Sequence, residues 1–298
     1  EYLNLTPDRN TETYALAYYN LAYIAFHEKD YTLAQNRFLK FTQLEKGENA
    51  TALADAYNRI GDCHLHVRRF DEAKQYYNKA ENMGTPAGDY SFYQLALVAG
   101  LQKDYDGKVA LLNRLSGKYP NSPYAINALY EKGRSYVQTN NSRQAIAAFK
   151  ELLDKYPESP VSRKAAAEIG LLYYQKGDYN QAIEAYKQVI EKYPGSEEAR
   201  LAMRDLKSCR YTLEESIYVD ANRVDEFAEL AAKVPGEIRF DASEQDSLTY
   251  IAAEKVYMKG DIAPAKASFT RYLQSYPNGA FSLNAHYYLC VIGKEQKD

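Results

Sequence analysis

Apolar residues recur at helical spacing along most of the chain. Between 160 and 194, Ala166, Ile169, Gly170 and Tyr173 fall on one face of a first helix, and Ala182, Tyr186 and Val189 on one face of a second. The punctuation agrees with the pattern. Ser159 is a good N-cap and Pro160 follows at the first helical position, where its missing N–H is harmless. Gly177 closes the first helix after about Lys176, Asp178 caps the second, and Pro194 blocks its continuation. The segment therefore predicts two antiparallel helices joined by a tight turn.

The same grammar returns along the sequence. Lys118-Tyr119-Pro120-Asn121-Ser122-Pro123, Lys155-Tyr156-Pro157-Glu158-Ser159-Pro160 and Lys192-Tyr193-Pro194-Gly195-Ser196 stand 37 residues apart, and Ser275-Tyr276-Pro277-Asn278-Gly279 is a fourth copy. The turns between paired helices read Lys29-Asp30-Tyr31, Arg68-Arg69-Phe70, Lys103-Asp104-Tyr105, Asn140-Asn141-Ser142, Gly177-Asp178-Tyr179 and Gly260-Asp261-Ile262. A fixed period of this size predicts an all-α chain of stacked helix pairs, each packed on its neighbours.

Small and aromatic residues keep register across the copies. The fourth supplies Gly133, Tyr136, Ala145, Phe149 and Pro157, and the fifth Gly170, Tyr173, Ala182, Tyr186 and Pro194. The second supplies Gly61, Ala73, Tyr77 and Ala80, the first Ala22, Ala34 and Phe38, and the last full copy Ala253, Ala265, Phe269 and Pro277. This pattern resembles the tetratricopeptide repeat. The resemblance implies a right-handed α-α superhelix of about seven helix-turn-helix units plus a terminal helix over 280–293, forming one solenoid across 1–298. Gly or Ala lets helix A of a unit approach helix B, and the aromatic rings fill the wedge between units. The tryptophan usual near the start of helix A is absent throughout.

Two departures stand out. The third copy carries Lys108 where Ala is expected, which predicts looser packing. The sixth, over 197–245, is irregular and holds about nine extra residues. Its helix A runs from about Glu197 to Tyr211, a second helix resumes over about 222–233, and 236–241 reads as a loop. Ser243, with Asp246 three residues on, resembles a capping box for the next helix. At the end, Val291-Ile292 beside a short charged tail reads as a solenoid cap, with continuation into further repeats as the other reading. A solenoid end left exposed favours end-to-end dimers. The first residue is Glu1, which suggests a mature or excised piece of a longer protein.

Composition narrows the function classes. The 37 basic and 40 acidic residues give a net charge of -3, with no basic stripe for nucleic acid. No apolar run is long enough to span a membrane. Cys63-His64-Leu65-His66 is the one metal-like cluster, but only Cys63 and His66 share a helix face and no second pair lies near. Phosphate-loop, zinc-protease and serine-hydrolase signatures are missing. These readings predict a non-enzymatic protein with no cofactor and no metal.

Tyrosine is the unusual residue: 30 of them, with 10 Phe and no Trp. A ring with a polar tip suits half-buried binding surfaces. By analogy with the family, whose groove is lined mainly by helix A, the candidate peptide groove comprises Tyr19, Tyr23, Asn58, Asp62, Tyr90, Tyr93, Asn127, Tyr130, Arg134, Arg204, Tyr250 and Glu254. Some of these rings could equally fill gaps between helices. The resemblance extends to location. The Tyr-Pro-x-Ser-Pro junctions within 122–210 are similar to those of outer-membrane-assembly and Tol–Pal-associated periplasmic members. The stretch over 220–293 resembles long envelope members of Bacteroidetes. Together they imply a periplasmic or envelope-associated scaffold for a protein or peptide partner. A carbohydrate-binding outer-membrane protein built on the same repeat is the alternative, weakened by the lack of tryptophan.

Overall fold

The computed structural model describes residues 2–5, 8–9, 11–212, 229–230, 232–234 and 241–295. Among them every regular element is a helix. A short α1 (Tyr2–Leu5) precedes α2 (Glu12–His27), α3 (Tyr31–Leu44), α4 (Ala50–His66), α5 (Phe70–Asn82), α6 (Gly88–Leu101), α7 (Tyr105–Lys118), α8 (Ala125–Gln138) and α9 (Ser142–Lys155). Then come α10 (Pro160–Gln175), α11 (Tyr179–Lys192), α12 (Glu197–Thr212), α13 (Ala242–Met258), α14 (Ile262–Ser275) and α15 (Ser282–Glu295). The chain divides into two compact units, residues 1–152 and 153–298. Within each, helices pack in chain order, α2 on α3, α3 on α4 and so on, as a helical repeat requires.

The three-residue turns have one geometry. The second residue after helix A is left-handed: Lys29, Arg68, Lys103 and Asn140 have φ of 63°, 61°, 62° and 55°, and Gly177 and Gly260 lie there too. The next N–H bonds back five residues, as from Asp30 to Ala25 and from Asp104 to Ala99, both at 2.9 Å. That next residue also caps helix B. The carboxylates of Asp30 and Asp104 accept from Leu33 and Gly107 at 2.9 Å. One residue thus closes a helix and opens the next, which is why so short a turn suffices.

The small-residue register performs the expected close approach. A Cβ added at Gly61 would lie 2.6 Å from the Tyr77 ring, and one at Gly170 would lie 2.5 Å from Tyr186. Tyr77, Tyr186, Phe38, Phe149 and Phe269 are all fully buried. The Tyr-Pro tyrosines bind unit to unit: Tyr119 donates to the Thr85 carbonyl at 3.3 Å and Tyr193 to the Pro157 carbonyl at 3.1 Å.

Two expectations need correction. Lys108 does not loosen its unit. It is buried, its stem lies 3.0 Å from where a Cβ on Gly100 would sit, and its ammonium pairs with Glu131. Ser243 does not cap α13. Asp241 does, accepting from Glu244 N–H at 2.8 Å. Asp246 is instead buried one turn further on, where it accepts from Tyr272 and, at 2.7 Å, from the Ala280 N–H. It thereby holds the fourth Tyr-Pro junction, where a Cβ on Gly279 would clash with it at 2.6 Å. The helix expected over 222–233 lies mostly outside the described residues. Of its neighbourhood, Leu230 and Val234 pack into the core of α11 and α12. The expected loop at 236–240 also lies outside them.

Candidate tyrosine–carboxylate groove

In the first unit, α2, α4 and α6 are successive A helices, and they bring half of the expected groove residues together. Asp55, Arg59 and Asp62 lie one helical turn apart along α4 and form its spine. Tyr19 and Tyr23 of α2 both donate to Asp55, Tyr19 at 2.7 Å. Arg59 meets Asp62 through Nη1 at 2.6 Å and Asp55 through Nε at 3.6 Å. From α6, Tyr90 donates to both Asp62 oxygens at 2.9 Å, and its ring lies 4.4 Å beneath the Arg59 guanidinium. Tyr77 reaches Asp62 from α5 at 2.7 Å. Tyr93 stacks on Tyr124, 5.1 Å between centroids and 15° between planes, while Tyr90 meets the same ring edge-on at 5.6 Å.

Burial and charge explain the electrostatics. Burial pushes the Asp62 carboxyl up, and Arg59 with the two phenols pulls it back. Burial also opposes the Arg59 cation, but Asp62, Tyr90 and Asp55 outweigh it and the group stays charged. Tyr19 is pushed up to about 12, first by burial and then by Asp55. Tyr93 is pushed up to about 12 by burial, with Glu131 nearby. The phenols are therefore hydrogen-bond donors at neutral pH, each with a ring face held at fixed orientation.

Two of the six candidates brought together lie beneath the face, and the other six fall elsewhere. Asn58 is 1% exposed; it donates to the Ala87 carbonyl at 3.1 Å and accepts from Ser91 at 2.7 Å, tying α4 to the start of α6. Asp62, 5% exposed, supports the face from below. Asn127 and Arg134 are exposed on α8, and the half-buried Tyr130 ring lies 5.7 Å from Phe149. In the second unit, Arg204 is exposed and lies 3.7 Å from its neighbour Asp205. Tyr250 is buried, stacked on Phe281 at 4.6 Å, and donates to Glu254 at 2.8 Å; Tyr288 donates to the same carboxylate at 3.1 Å.

Sequence reasoning missed Asp55, Arg59 and Tyr124. The first two had a readable signal, the i, i+4, i+7 spacing of Asp55, Arg59 and Asp62 on one helix face. Tyr124 precedes α8, outside the helix positions used for the expectation. The Cys63-His64-Leu65-His66 side chains go separate ways: Cys63 is buried, His64 stacks on Tyr76 and His66 on Tyr31. Among the described residues no three His, Cys, Asp or Glu side chains group closely enough to hold a metal, and no helix is long and apolar enough to cross a membrane.

Three family models, each described as tetratricopeptide repeat, match the chain: one at 130–197, one at 54–83, and one at both 90–122 and 248–279. No curated protein matches it by sequence. Solved structures share the fold. The C-terminal part of a TPR repeat-containing protein from Cytophaga hutchinsonii superposes with a TM-score of 0.55 at 15% identity, over 90% of this chain and 98% of that one. A tetratricopeptide repeat protein from Parabacteroides merdae ATCC 43184 gives 0.53 at 14% identity, over 93% and 98%. MamA from residue 41 to its end, of Desulfovibrio magneticus RS-1, gives 0.50 at 18% identity, over 61% of this chain and 97% of that one.

Proposed function

Because the chain belongs to the tetratricopeptide repeat family, a family of protein-interaction scaffolds, we propose that its binding surface is the tyrosine face of α2, α4 and α6, and that its partner is an extended protein segment. The observation that carries this reading is the row of half-buried rings, Tyr19, Tyr23, Tyr90, Tyr93 and Tyr124, each oriented by a carboxylate or a neighbouring ring. Rings already locked lose little entropy on binding, and large aromatic anchors dominate interface energetics. Asn58 and Asp62 set the spacing of the A helices from within. Tyr130 and Arg134 extend the surface along α8. We assign Asn127, Arg204, Tyr250 and Glu254 no part in this face. The Tyr-Pro junction resemblance supports an envelope-associated setting, which fractionation of the source cells tests: recovery in the cytosol alone overturns it.

The groove itself is tested with peptides selected from a random displayed library on the purified chain. Tyr93→Ala and Tyr124→Ala each weaken the selected peptides about tenfold or more, the scale of an interface hot spot, with the helical circular-dichroism signal unchanged. Peptides that bind both variants as tightly as the parent chain would overturn the assignment.

A further inference from the structure

The half-buried rings of the groove differ in what their hydroxyls do. Those of Tyr19 and Tyr23 are committed to Asp55, and that of Tyr90 to Asp62. Those of Tyr93 and Tyr124 are free: among the described residues neither has a hydrogen-bond partner. Their rings stack 5.1 Å apart at 15°. Burial pushes both phenols up, so each keeps its proton at neutral pH. Two free donors therefore stand on one aromatic platform. The charges beside them are already matched, since Arg59, the cation at the centre of the face, is held by Asp62 and Asp55.

Peptide segments are recognised in a few physical ways, and this face suits one of them. Strand addition needs a sheet edge, and every regular element among the described residues is a helix. A docked amphipathic helix needs a continuous apolar stripe, but Asp55 and Arg59 run along the middle of the face. An acidic or phosphorylated segment needs cations to spare, and Arg59 is paired. A polyproline II helix needs aromatic faces and hydrogen-bond donors. It has no internal hydrogen bonds, so its carbonyls are open acceptors, and its backbone is ordered before it binds. We infer that the segment bound in the tyrosine groove is proline-rich and enters as a polyproline II helix, an inference that rests on the groove reading. Its pyrrolidine rings pack on Tyr93 and Tyr124, and its carbonyls accept from their hydroxyls. From α6 to α2 it crosses two helix spacings of about 8–10 Å each, which takes about six residues at ~3.1 Å per residue.

The test uses defined peptides on the whole chain. The 15N-labelled chain is titrated by NMR with a capped proline nonamer, a capped nonamer of alternating glycine and serine, and a capped proline trimer. The proline nonamer saturates shifts in α2, α4 and α6 with a Kd on the order of 0.1 mM. Both controls bind at least about tenfold more weakly, the flexible one because it must be ordered and the short one because it cannot reach α2. Tyr93→Phe and Tyr124→Phe, which remove only the hydroxyls, each weaken the nonamer about fivefold, the worth of one neutral hydrogen bond. No saturation by the proline nonamer, equal binding of either control, or full affinity in both Phe variants overturns the inference. Failure of the groove reading looks different. Library peptides that weaken on Tyr93→Ala but carry no proline leave the groove standing and overturn this inference alone. Library peptides that ignore both Tyr93→Ala and Tyr124→Ala overturn the two together.

Discussion

Gly61 sits in mid-helix on α4, where alanine ordinarily gains about 1 kcal/mol of helix propensity. Here the sign reverses. The added methyl would lie 2.6 Å from the Tyr77 ring, and that ring is buried with its hydroxyl on Asp62. Neither the ring nor the helix can retreat, so overpacking outweighs propensity. Gly61→Ala is expected to destabilise by about 1–3 kcal/mol, read from the urea midpoint at unchanged m-value. A stabilised variant would mean the ring yields. The need for a small residue here was readable from its register with Tyr77. The reason it must be glycine in α4, when Ala22 and Ala253 serve opposite Phe38 and Phe269, comes from interhelical distance and was not.

At the scale of the element, the turns separate a shared geometry from unequal chemistry. Asp30, Asp104, Asn141 and Asp178 each accept the N–H three residues on, the first two at 2.9 Å. Arg69 makes no side-chain cap, and it places a cation at the positive end of α5. Arg69→Asp is therefore expected to stabilise the protein by about 1 kcal/mol, the usual worth of a cap. Asp261 also lacks the bond, because the residue three on is Pro264, which has no N–H to donate. Asp30→Ala should cost about 1 kcal/mol and Asp261→Ala only a small fraction of that, compared by thermal or urea denaturation. Equal losses would show that the caps act through charge alone. These signals were legible because a cap acts within four residues of itself.

Across the whole molecule, buried tyrosines set an alkaline limit. Burial is the first cause of each shift, and it pushes Tyr19, Tyr93 and Tyr272 up to about 12, with Tyr23, Tyr77 and Tyr90 raised further. In the unfolded chain these phenols ionise near 10. The folded state thus keeps protons that the unfolded state has lost, and stability falls as pH rises past that point. It is fully present below pH 10 and lost progressively toward 12. The share of tyrosinate absorbance at about 295 nm that comes from these buried rings should appear together with the loss of circular dichroism at about 222 nm, in one cooperative step above pH 10. Full tyrosinate absorbance reached near pH 10, with helicity intact, would contradict the burial argument.

The sequence by itself determined the helix pairs, their turns, the repeat register and the family. Each of these depends on residues within one turn or on a period repeated along the chain. The tertiary structure alone decided which tyrosines form a surface. Tyr19 and Asp55 are 36 residues apart and Asp62 and Tyr90 are 28 apart, and they meet because α2, α4 and α6 stack with those faces turned inward. The same stacking buried Asn58, and packing against Phe269, Tyr272 and Phe281 in the second unit buried Tyr250, although the register had placed both in the groove. Periodicity specifies a face of a helix. What that face meets depends on the rotation of the next helix, and only the packed core sets that rotation.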